Sequence, residues 1–215
     1  LSMSVPAMEP EVAGQHAAYG LRSEHIPISK AGCNAVPRIV WMLWFDGWKN
    51  APALCLDMLK TWRAYNADWE IRTICRDDFP ELLGESLEEY YRLRENMNLG
   101  DKLGLSQELR MVFGDSLIPP AAESDLLRLY LLNKYGGAWV DSTNLCRRPL
   151  DDWLPSAARQ GFFAFFPDLQ SPEHQGVPHI ISSFIVASPG HPIASAWLAR
   201  IKAHWSKSYA ERPDL

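Results

Sequence analysis

Continuous apolar runs of strand length alternate along this chain with segments of helical periodicity. The runs predict strands over residues 36–45, 69–75, 138–141, 162–166 and 180–187. Helices are predicted over residues 52–65, 77–83, 121–134 and 192–205. This alternation indicates an α/β fold with a mostly parallel central sheet flanked by helices. Sheets of this kind bind ligands at the carboxyl ends of their strands.

Two segments depart from this alternation. Residues 1–35 are rich in Ala, Ser, Pro and Gly with little periodicity, so we expect an extension with a short helix near residues 9–19. Residues 85–109 are more polar, and their sparse apolar positions predict an outer or capping region that is helical in pieces. The folded domain is therefore expected over residues 36–215.

The composition is that of a globular protein without a nucleic-acid-binding surface. The chain has 215 residues, 47% of them hydrophobic, and a formal net charge of −5, which argues against binding to a phosphate backbone. It lacks an apolar run of the ~18 residues that a transmembrane segment needs. The N-terminus also lacks the basic-then-apolar order of a signal peptide. We therefore expect a cytoplasmic protein that is at most peripheral to a membrane.

The predicted helix over residues 121–134 carries two charges among many leucines. Asp125 and Arg128 are three residues apart and share a helix face. Buried charges need partners or a ligand. On the helix alone, an internal ion pair between these two residues is the favoured interpretation.

The residues that follow this helix favour a ligand site over an internal ion pair. Gly136 is suited to a left-handed C-terminal cap, and Gly137 allows close approach of another backbone. The next strand ends at Asp141, where a carboxylate suits a divalent cation or a ribose hydroxyl. An Asp that caps a turn with Thr143 or Asn144 is the structural alternative. Helix charges, glycines and a terminal aspartate in one segment favour a ligand site.

This segment resembles the core of glycosyltransferases with a DxD-type motif. The resemblance is to capsular polysaccharide synthesis proteins and sugar-binding-region transferases of the GT-A fold. It is carried by the string D-x-x-R-x-x-x-L-x-x-Y-G-G-x-W-x-D, formed here by Asp125, Arg128, Leu132, Tyr135, Gly136, Gly137, Trp139 and Asp141. Weaker flanking matches extend the resemblance over residues 36–205. They include the first strand, the Thr61-Trp62 segment and the strand that contains Ser183.

The resemblance implies a role for each matching residue. Asp125 would bind the ribose or the donor sugar, Arg128 would contact the sugar or its phosphate, and Asp141 would hold a divalent metal, Mn²⁺ or Mg²⁺, that bridges the diphosphate. Aromatic rings stack on nucleobases, so Trp44 or Phe45 would contact the base. The residues assigned to nucleotide-sugar binding are Trp44, Phe45, Asp125, Arg128, Gly137, Asp141 and Ser183.

The sequence departs from this pattern at the metal site. A DxD motif has an aspartate at position 143, where this chain has Thr143. The metal would therefore be held by Asp141 and Thr143, a poorer ligand set than two carboxylates. The chain also ends at Leu215, just past the last predicted helix, where related proteins usually continue. We therefore expect a fragment or a short variant.

The leading functional hypothesis is a retaining, metal-assisted glycosyltransferase of polysaccharide synthesis. It would move a sugar from a UDP- or GDP-sugar donor to a glycan acceptor. An inverting enzyme would instead need a base near the acceptor. Asp168, Glu173 and His179 lie in or beside a candidate acceptor loop over residues 167–178, but ordinary loop polarity is the favoured interpretation of each. The first alternative is a transferase-like fold that binds a nucleotide or a glycan without turnover. The second is a phosphotransferase of the haloacid dehalogenase type, in which a strand-end Asp followed two residues later by Thr attacks phosphate.

Overall fold

A computed structural model describes residues 35–166 and 180–212 of the chain. These residues belong to one compact unit. The short helix expected near residues 9–19 lies outside the described residues. The same holds for the expected acceptor loop, with Asp168, Glu173 and His179.

The described part of the chain contains one five-stranded sheet. Its strands are β1 (Ile39–Leu43), β2 (Glu70–Ile74), β3 (Gly137–Val140), β4 (Phe162–Phe165) and β5 (Ile181–Ala187). They are arranged in the order β2-β1-β3-β5-β4. β1 is parallel to both β2 and β3, whereas β5 is antiparallel to its neighbours β3 and β4. All strands except β5 therefore run in one direction, and the prediction of a mostly parallel sheet in an α/β fold is confirmed.

Helices connect β1 to β2 and β2 to β3, as the sequence pattern predicts, and a short helix that the pattern did not predict lies between β3 and β4. Short 3₁₀ turns supplement them, for example at Arg76–Asp78 and Leu150–Asp152. The α-helices are α1 (Ala53–Tyr65), α2 (Phe79–Leu83), α3 (Leu87–Glu95), α4 (Gln107–Phe113), α5 (Pro120–Tyr135), α6 (Leu154–Ala157) and α7 (Pro192–Trp205).

Each face of the sheet packs against its own hydrophobic core. Trp41, Trp139 and Ile185 lie in a core that includes residues of α3, α5 and α7. Their strand neighbours, such as Val40 and Val186, lie in a second core with residues of α1 and α6. Because side chains alternate between the two faces of a strand, burial on both faces requires continuous apolar runs. This explains the runs seen in the sequence.

Two details of packing differ from the sequence-based expectations. Residues 85–109 are not only an outer region, because Tyr90 and Leu93 of α3 are completely buried and Met97 is almost so. Their spacing forms a helical stripe that intervening charges obscure. In α1, Leu54 is exposed although it has the helical spacing of Leu59 and Trp62, and these two residues form the buried face together with Cys55.

The double glycine has the two roles expected from the sequence. Gly136 ends α5 with a φ of 68°, a left-handed conformation that favours glycine. Gly137 has a φ of 97°, and a Cβ atom on it would lie 2.6 Å from the carbonyl oxygen of Ile39. The missing side chain therefore lets β1 and β3 pair closely beside the end of α5. Within the described residues, no helix is both long enough and apolar enough to cross a membrane.

Candidate active site

A cavity of about 370 Å³ opens at the carboxyl ends of β1 and β3, next to the first turn of α5. The two parallel strands end on the same edge of the sheet, which brings their following loops together. We call it the strand-end cavity. Its lining comprises Leu43, Trp44, Phe45, Asp46, Arg76, Pro120, Ala121, Ser124, Trp139, Asp141, Ser142 and Thr143.

Aromatic side chains from the end of β1 form one wall of this cavity. Trp44 and Phe45 are both half-buried, and the backbone N–H of Trp44 donates to the carbonyl oxygen of Ile74 in β2. The guanidinium carbon of Arg76 lies 4.4 Å from the centroid of the Phe45 ring. Both aromatic residues predicted to contact a base therefore lie in the cavity.

Arg76 is held by a buried carboxylate that the sequence did not reveal. Glu123 of α5 is completely buried and accepts hydrogen bonds from the two terminal nitrogens of Arg76, at 2.5 and 2.9 Å. Arg94 Nε donates to the same carboxylate at 2.8 Å, and the Tyr90 hydroxyl donates at 3.2 Å. Burial and the nearby charge of Glu123 raise the pKa of Tyr90 far above its ordinary value, so this hydroxyl stays a donor. The cluster fixes Arg76 against the cavity.

The predicted catalytic residues Asp125, Arg128 and Asp141 lie together between α5 and β3. Arg128 is 3% exposed, and its guanidinium is 3.1 Å from a carboxylate oxygen of Asp125 and 3.5 Å from one of Asp141. Arg128 also donates to the Ser124 hydroxyl at 2.8 Å and to the carbonyl oxygen of Ser182 in β5. The ion pair between Asp125 and Arg128 that the sequence favoured therefore exists, but Arg128 also pairs with Asp141 at the edge of the cavity.

The two carboxylates are close enough to influence each other. Burial raises the pKa of Asp125 above its ordinary value, the positive charge of Arg128 lowers it, and the negative charge of Asp141 raises it. The net direction is upward. Two carboxylates share the single guanidinium of Arg128, so with both ionised the group carries a net negative charge that a cation would offset.

Asp141 is oriented by the strand that carries it. Its backbone N–H donates to the carbonyl oxygen of Ser183 at 2.9 Å, and its Oδ1 accepts from the Trp139 indole N–H at 2.8 Å. The turn after β3 closes through backbone groups, with the N–H of Asn144 donating to the carbonyl oxygen of Asp141 at 2.9 Å. The carboxylate is thus not used to cap the turn, and 36% of the side chain remains exposed.

Other predicted site residues are distributed differently. Thr143 lines the strand-end cavity together with Asp141, as the metal hypothesis requires. Gly137 is buried within the sheet and is not among the residues that line this cavity. Ser183 lines a second cavity of about 610 Å³, which shares Thr143 with the first.

The sequence interpretation missed Arg76, Asp46 and Ser124. Asp46 follows the end of β1 as Asp141 follows β3, so the same strand-end signal could have identified it. Arg76 likewise follows β2, the other strand parallel to β1. Ser124 carries no strand-end signal, because it lies on α5 and its hydroxyl contacts Arg128 one helical turn further along.

The ligand set at this edge fits a divalent cation that is also bound by phosphate. Among the residues that the structure describes, no group of three or more His, Cys, Asp or Glu side chains could hold a metal by itself. Mg²⁺ commonly binds through one or two carboxylates plus the phosphates of a substrate. Trp139 donates to Oδ1 of Asp141 and Arg128 lies 3.5 Å from the same oxygen, and Ser142 and Thr143 line the cavity beside this carboxylate.

Comparison with known families and curated proteins gives two matches. The model of a family described as capsular polysaccharide synthesis protein matches residues 88–213. The O-glycosyltransferase braB of Annulohypoxylon truncatum is 25% identical over 185 residues, which cover 77% of this chain and 37% of that protein. The chain thus spans well under half the length of this curated relative.

Similar solved structures include three glycosyltransferase or toxin domains. The PaToxG glycosyltransferase has a TM-score of 0.48 at 15% identity, over 80% of this chain and 62% of that chain. The catalytic domain of alpha-toxin from Clostridium novyi has a TM-score of 0.47 at 12% identity, over 80% and 58%. The ligand-free glycosyltransferase domain from the YGT toxin has a TM-score of 0.45 at 12% identity, over 81% and 64%. The chain therefore covers less than two thirds of each.

Proposed function

This chain belongs to the family of capsular polysaccharide synthesis proteins, and from this premise we propose that it is a glycosyltransferase domain with a GT-A fold. A UDP- or GDP-sugar binds in the strand-end cavity, and its sugar passes to a glycan acceptor. The observation that carries this proposal is that Arg128 pairs with two carboxylates, that of Asp125 on α5 and that of Asp141 at the edge of the sheet where β3 ends. Ligand sites in α/β sheets lie at that edge.

The strand-end cavity supplies groups that suit each part of a nucleoside diphosphate. Trp44 and Phe45 offer aromatic faces for the base. Pro120 and Ala121, at the start of α5, place the positive end of a sixteen-residue helix beside the cavity, which favours the diphosphate. Asp141 lines the cavity and remains for a cation, and Asp125, which does not line the cavity but shares Arg128 with Asp141, would bind ribose or sugar hydroxyls.

The proposed cation is Mg²⁺ or Mn²⁺, and Asp141 and Thr143 would hold it. When bound, it neutralises the charge that develops on the leaving diphosphate. With Thr143 at the second position of the motif, the phosphates would have to supply most of the remaining ligands, so metal and nucleotide would bind together. Arg128 is too buried to reach far into the cavity and acts by positioning the two carboxylates.

We also propose that the transfer retains the configuration of the sugar and that it serves polysaccharide synthesis. Both statements rest on the resemblance of the segment from Asp125 to Asp141 to its family. In the transfer, the acceptor hydroxyl oxygen forms a bond to the anomeric carbon while the bond from that carbon to the diphosphate oxygen breaks. The hydroxyl proton leaves to solvent or to the released diphosphate.

A binding protein without turnover is the competing function. It is favoured by Thr143, which replaces a metal-binding carboxylate, and by the contact of Asp141 Oδ1 with Trp139. Slow hydrolysis of the donor distinguishes the two functions, because a transferase transfers sugar to water when no acceptor is present. A protein that only binds leaves UDP-glucose and GDP-mannose intact in the presence of Mn²⁺.

The first test is calorimetric titration of UDP and GDP into this chain, with and without Mn²⁺. We expect one nucleotide to bind only with the metal. Replacing Asp141 by alanine should weaken that binding at least about tenfold, which corresponds to the loss of one charge-assisted ligand. Asp57→Ala is the matched control, because Asp57 is exposed on α1 and, within the described ranges, pairs only with Lys60.

Two results would contradict the proposal. If neither nucleotide binds with Mn²⁺ or Mg²⁺, the strand-end cavity is not a donor site in this chain. If a nucleotide binds equally well to the chain with Asp141→Ala, the carboxylate that carries the proposal has no part in binding. In either case the family membership is unaffected, but the assignment of the strand-end cavity as the donor site is wrong.

A further inference from the structure

The second cavity lies on the other side of the turn that follows β3, and its lining differs from that of the strand-end cavity. We propose that it binds the acceptor and selects an acceptor sugar that carries an anionic group, an inference that rests on the proposed transferase function. We call it the aromatic cavity. Its lining includes four aromatic residues and two arginines, namely Trp153, Phe163, Phe165, Phe184, Arg147 and Arg148.

The floor of the aromatic cavity is a connected cluster of rings. Trp62 and Phe184 are buried and stacked, with ring centroids 6.0 Å apart. Trp153 contacts Phe163 edge-on at 5.1 Å and Phe184 at 5.9 Å, and Phe165 lies 5.6 Å from Phe184. Each ring is therefore held by at least one other, which gives a rigid surface.

Part of this cluster is open to solvent. Phe165 is 46% exposed, whereas Phe184 beneath it is 5% exposed. Trp153 and Phe163 are only partly buried. An apolar ring that is fixed from below and open above presents a flat face to the C–H groups of a sugar. The buried rings belong to the hydrophobic core, whereas the exposed ring faces are available to a ligand.

The charge of the aromatic cavity is positive although the chain as a whole has a net charge of −5. Arg147 and Arg148 both line it and are exposed, and the guanidinium carbon of Arg148 lies 5.7 Å from the centroid of the Trp153 ring. None of its described lining residues is an Asp or Glu. Two guanidinium groups beside a ring favour carboxylate or phosphate over a neutral ligand.

The turn between the two cavities is fixed from both sides. The Asn144 side-chain N–H donates to the carbonyl oxygen of Ser183 at 2.9 Å, and the Trp62 indole N–H donates to the carbonyl oxygen of Asn144 at 2.7 Å. Thr143 lines both cavities. A ligand in the aromatic cavity is thus separated from one in the strand-end cavity by a single braced turn, as an acceptor and a donor would be.

The test uses three probes and saturation-transfer NMR on the whole chain. Methyl glucuronide and methyl glucoside share a ring and differ by one carboxylate, and glucose 1-phosphate carries phosphate instead. We expect at least one anionic probe to bind about fivefold or more tightly than the glucoside, the scale of one partly solvated charge-assisted contact. Which anion binds more tightly distinguishes a uronic acid from a sugar phosphate.

Three variants assign the binding to this cavity. Arg147→Gln and Arg148→Gln together should reduce the affinity for the anionic probe to that for the glucoside, and Phe165→Ala should weaken all three probes. Arg200→Gln, an exposed arginine of α7, should change nothing. The inference is overturned if the glucoside binds as tightly as both anions, or if the double variant keeps the preference.

The nucleotide titration keeps the two proposals separable. Arg147, Arg148 and Phe165 do not line the strand-end cavity, so their replacement should leave metal-dependent nucleotide binding unchanged. Loss of anion selectivity with intact nucleotide binding supports the assignment of the aromatic cavity. Intact nucleotide binding without any anion selectivity in the original chain refutes only the assignment of the aromatic cavity.

Discussion

At the scale of single residues, Asp125 illustrates a conflict between binding and stability. It is partly buried, it faces the negative Asp141, and its pKa is raised despite the nearby Arg128. A group with a raised folded-state pKa binds more protons in the folded chain than in the unfolded one. Its ionised form therefore lowers the free energy of unfolding at neutral pH. Such a cost is typical of residues that are retained for function.

This conflict predicts that Asp125→Asn is neutral or stabilising at pH 7 but weakens metal-dependent nucleotide binding. The stabilising effect should be absent near pH 3, where the carboxyl is protonated in both states. It should grow as the pH rises through the raised pKa and reach on the order of 0.5 kcal/mol, since the side chain is partly solvated. Urea unfolding at several pH values measures it. A variant that loses stability at pH 7 would show instead that the pair with Arg128 dominates.

The sequence predicts the site residues that are close in the chain, but not those that are brought together by the fold. Asp125, Arg128 and Asp141 lie within one helix–strand unit, so local geometry brings them together and the sequence pattern predicts them. Arg76 and Glu123 are 47 positions apart. Their contact depends on how β2 pairs with β1 and how α5 packs, which no local pattern encodes.

At the scale of elements, the junction of α5 and β3 depends on its glycines. Gly137 starts β3 with a φ of 97°, and a Cβ atom there would lie 2.6 Å from the backbone of Ile39. Backbone atoms cannot move away as a flexible side chain could. The close pairing of β1 with β3 brings the loops after both strands to one cavity, so this contact connects the fold to the site.

Gly137→Ala should therefore destabilise the chain by about 3 kcal/mol or more, from left-handed strain and from displaced backbone together. Gly104 provides the comparison, because its φ is 62° but a Cβ atom there meets nothing within 4 Å. Gly104→Ala should cost only about 1 kcal/mol, the strain alone. Thermal and urea unfolding of both variants measure the difference. Equal losses would mean that the sheet accommodates the methyl group.

Elements were predicted well where periodicity was uninterrupted. The bounds of α7 match the prediction, and those of α5 and β3 differ from it by one residue at each end. α3 was underestimated because charged residues surround its buried positions Tyr90 and Leu93. One of those charges, Arg94, is itself buried and pairs with Glu123. A buried ion pair resembles a surface segment in sequence, so polarity misled the prediction of burial.

At the scale of the whole molecule, the Glu123 cluster joins parts of the chain that are distant in sequence. Its carboxylate binds Arg76 after β2, Arg94 of α3 and Tyr90 of α3, while Glu123 itself lies on α5. One end of this cluster is Arg76, which lines the strand-end cavity against Phe45. The buried network therefore supports both the core on one face of the sheet and the aromatic wall of the site.

Replacing Glu123 by glutamine should destabilise the chain by about 3 kcal/mol or more, because it leaves two guanidinium groups without their shared carboxylate in a buried site. Glu89→Gln is the matched comparison: Glu89 accepts from Lys202 and from the Tyr130 hydroxyl, but it is partly exposed. It should cost about 1 kcal/mol or less.

The two effects of Glu123→Gln can be separated, since stability and binding report on different ends of the cluster. Urea unfolding measures the core, whereas calorimetric titration of the nucleotide with Mn²⁺, at a temperature where the variant is folded, measures the wall formed by Arg76 and Phe45. We expect Glu123→Gln to lower both the free energy of unfolding and the affinity for the nucleotide. Glu89→Gln should lower only the free energy of unfolding. A chain with Glu123→Gln that unfolds more easily yet binds nucleotide with unchanged affinity would confine this network to the core. The position of Arg76 would then be set by its stacking on Phe45 alone.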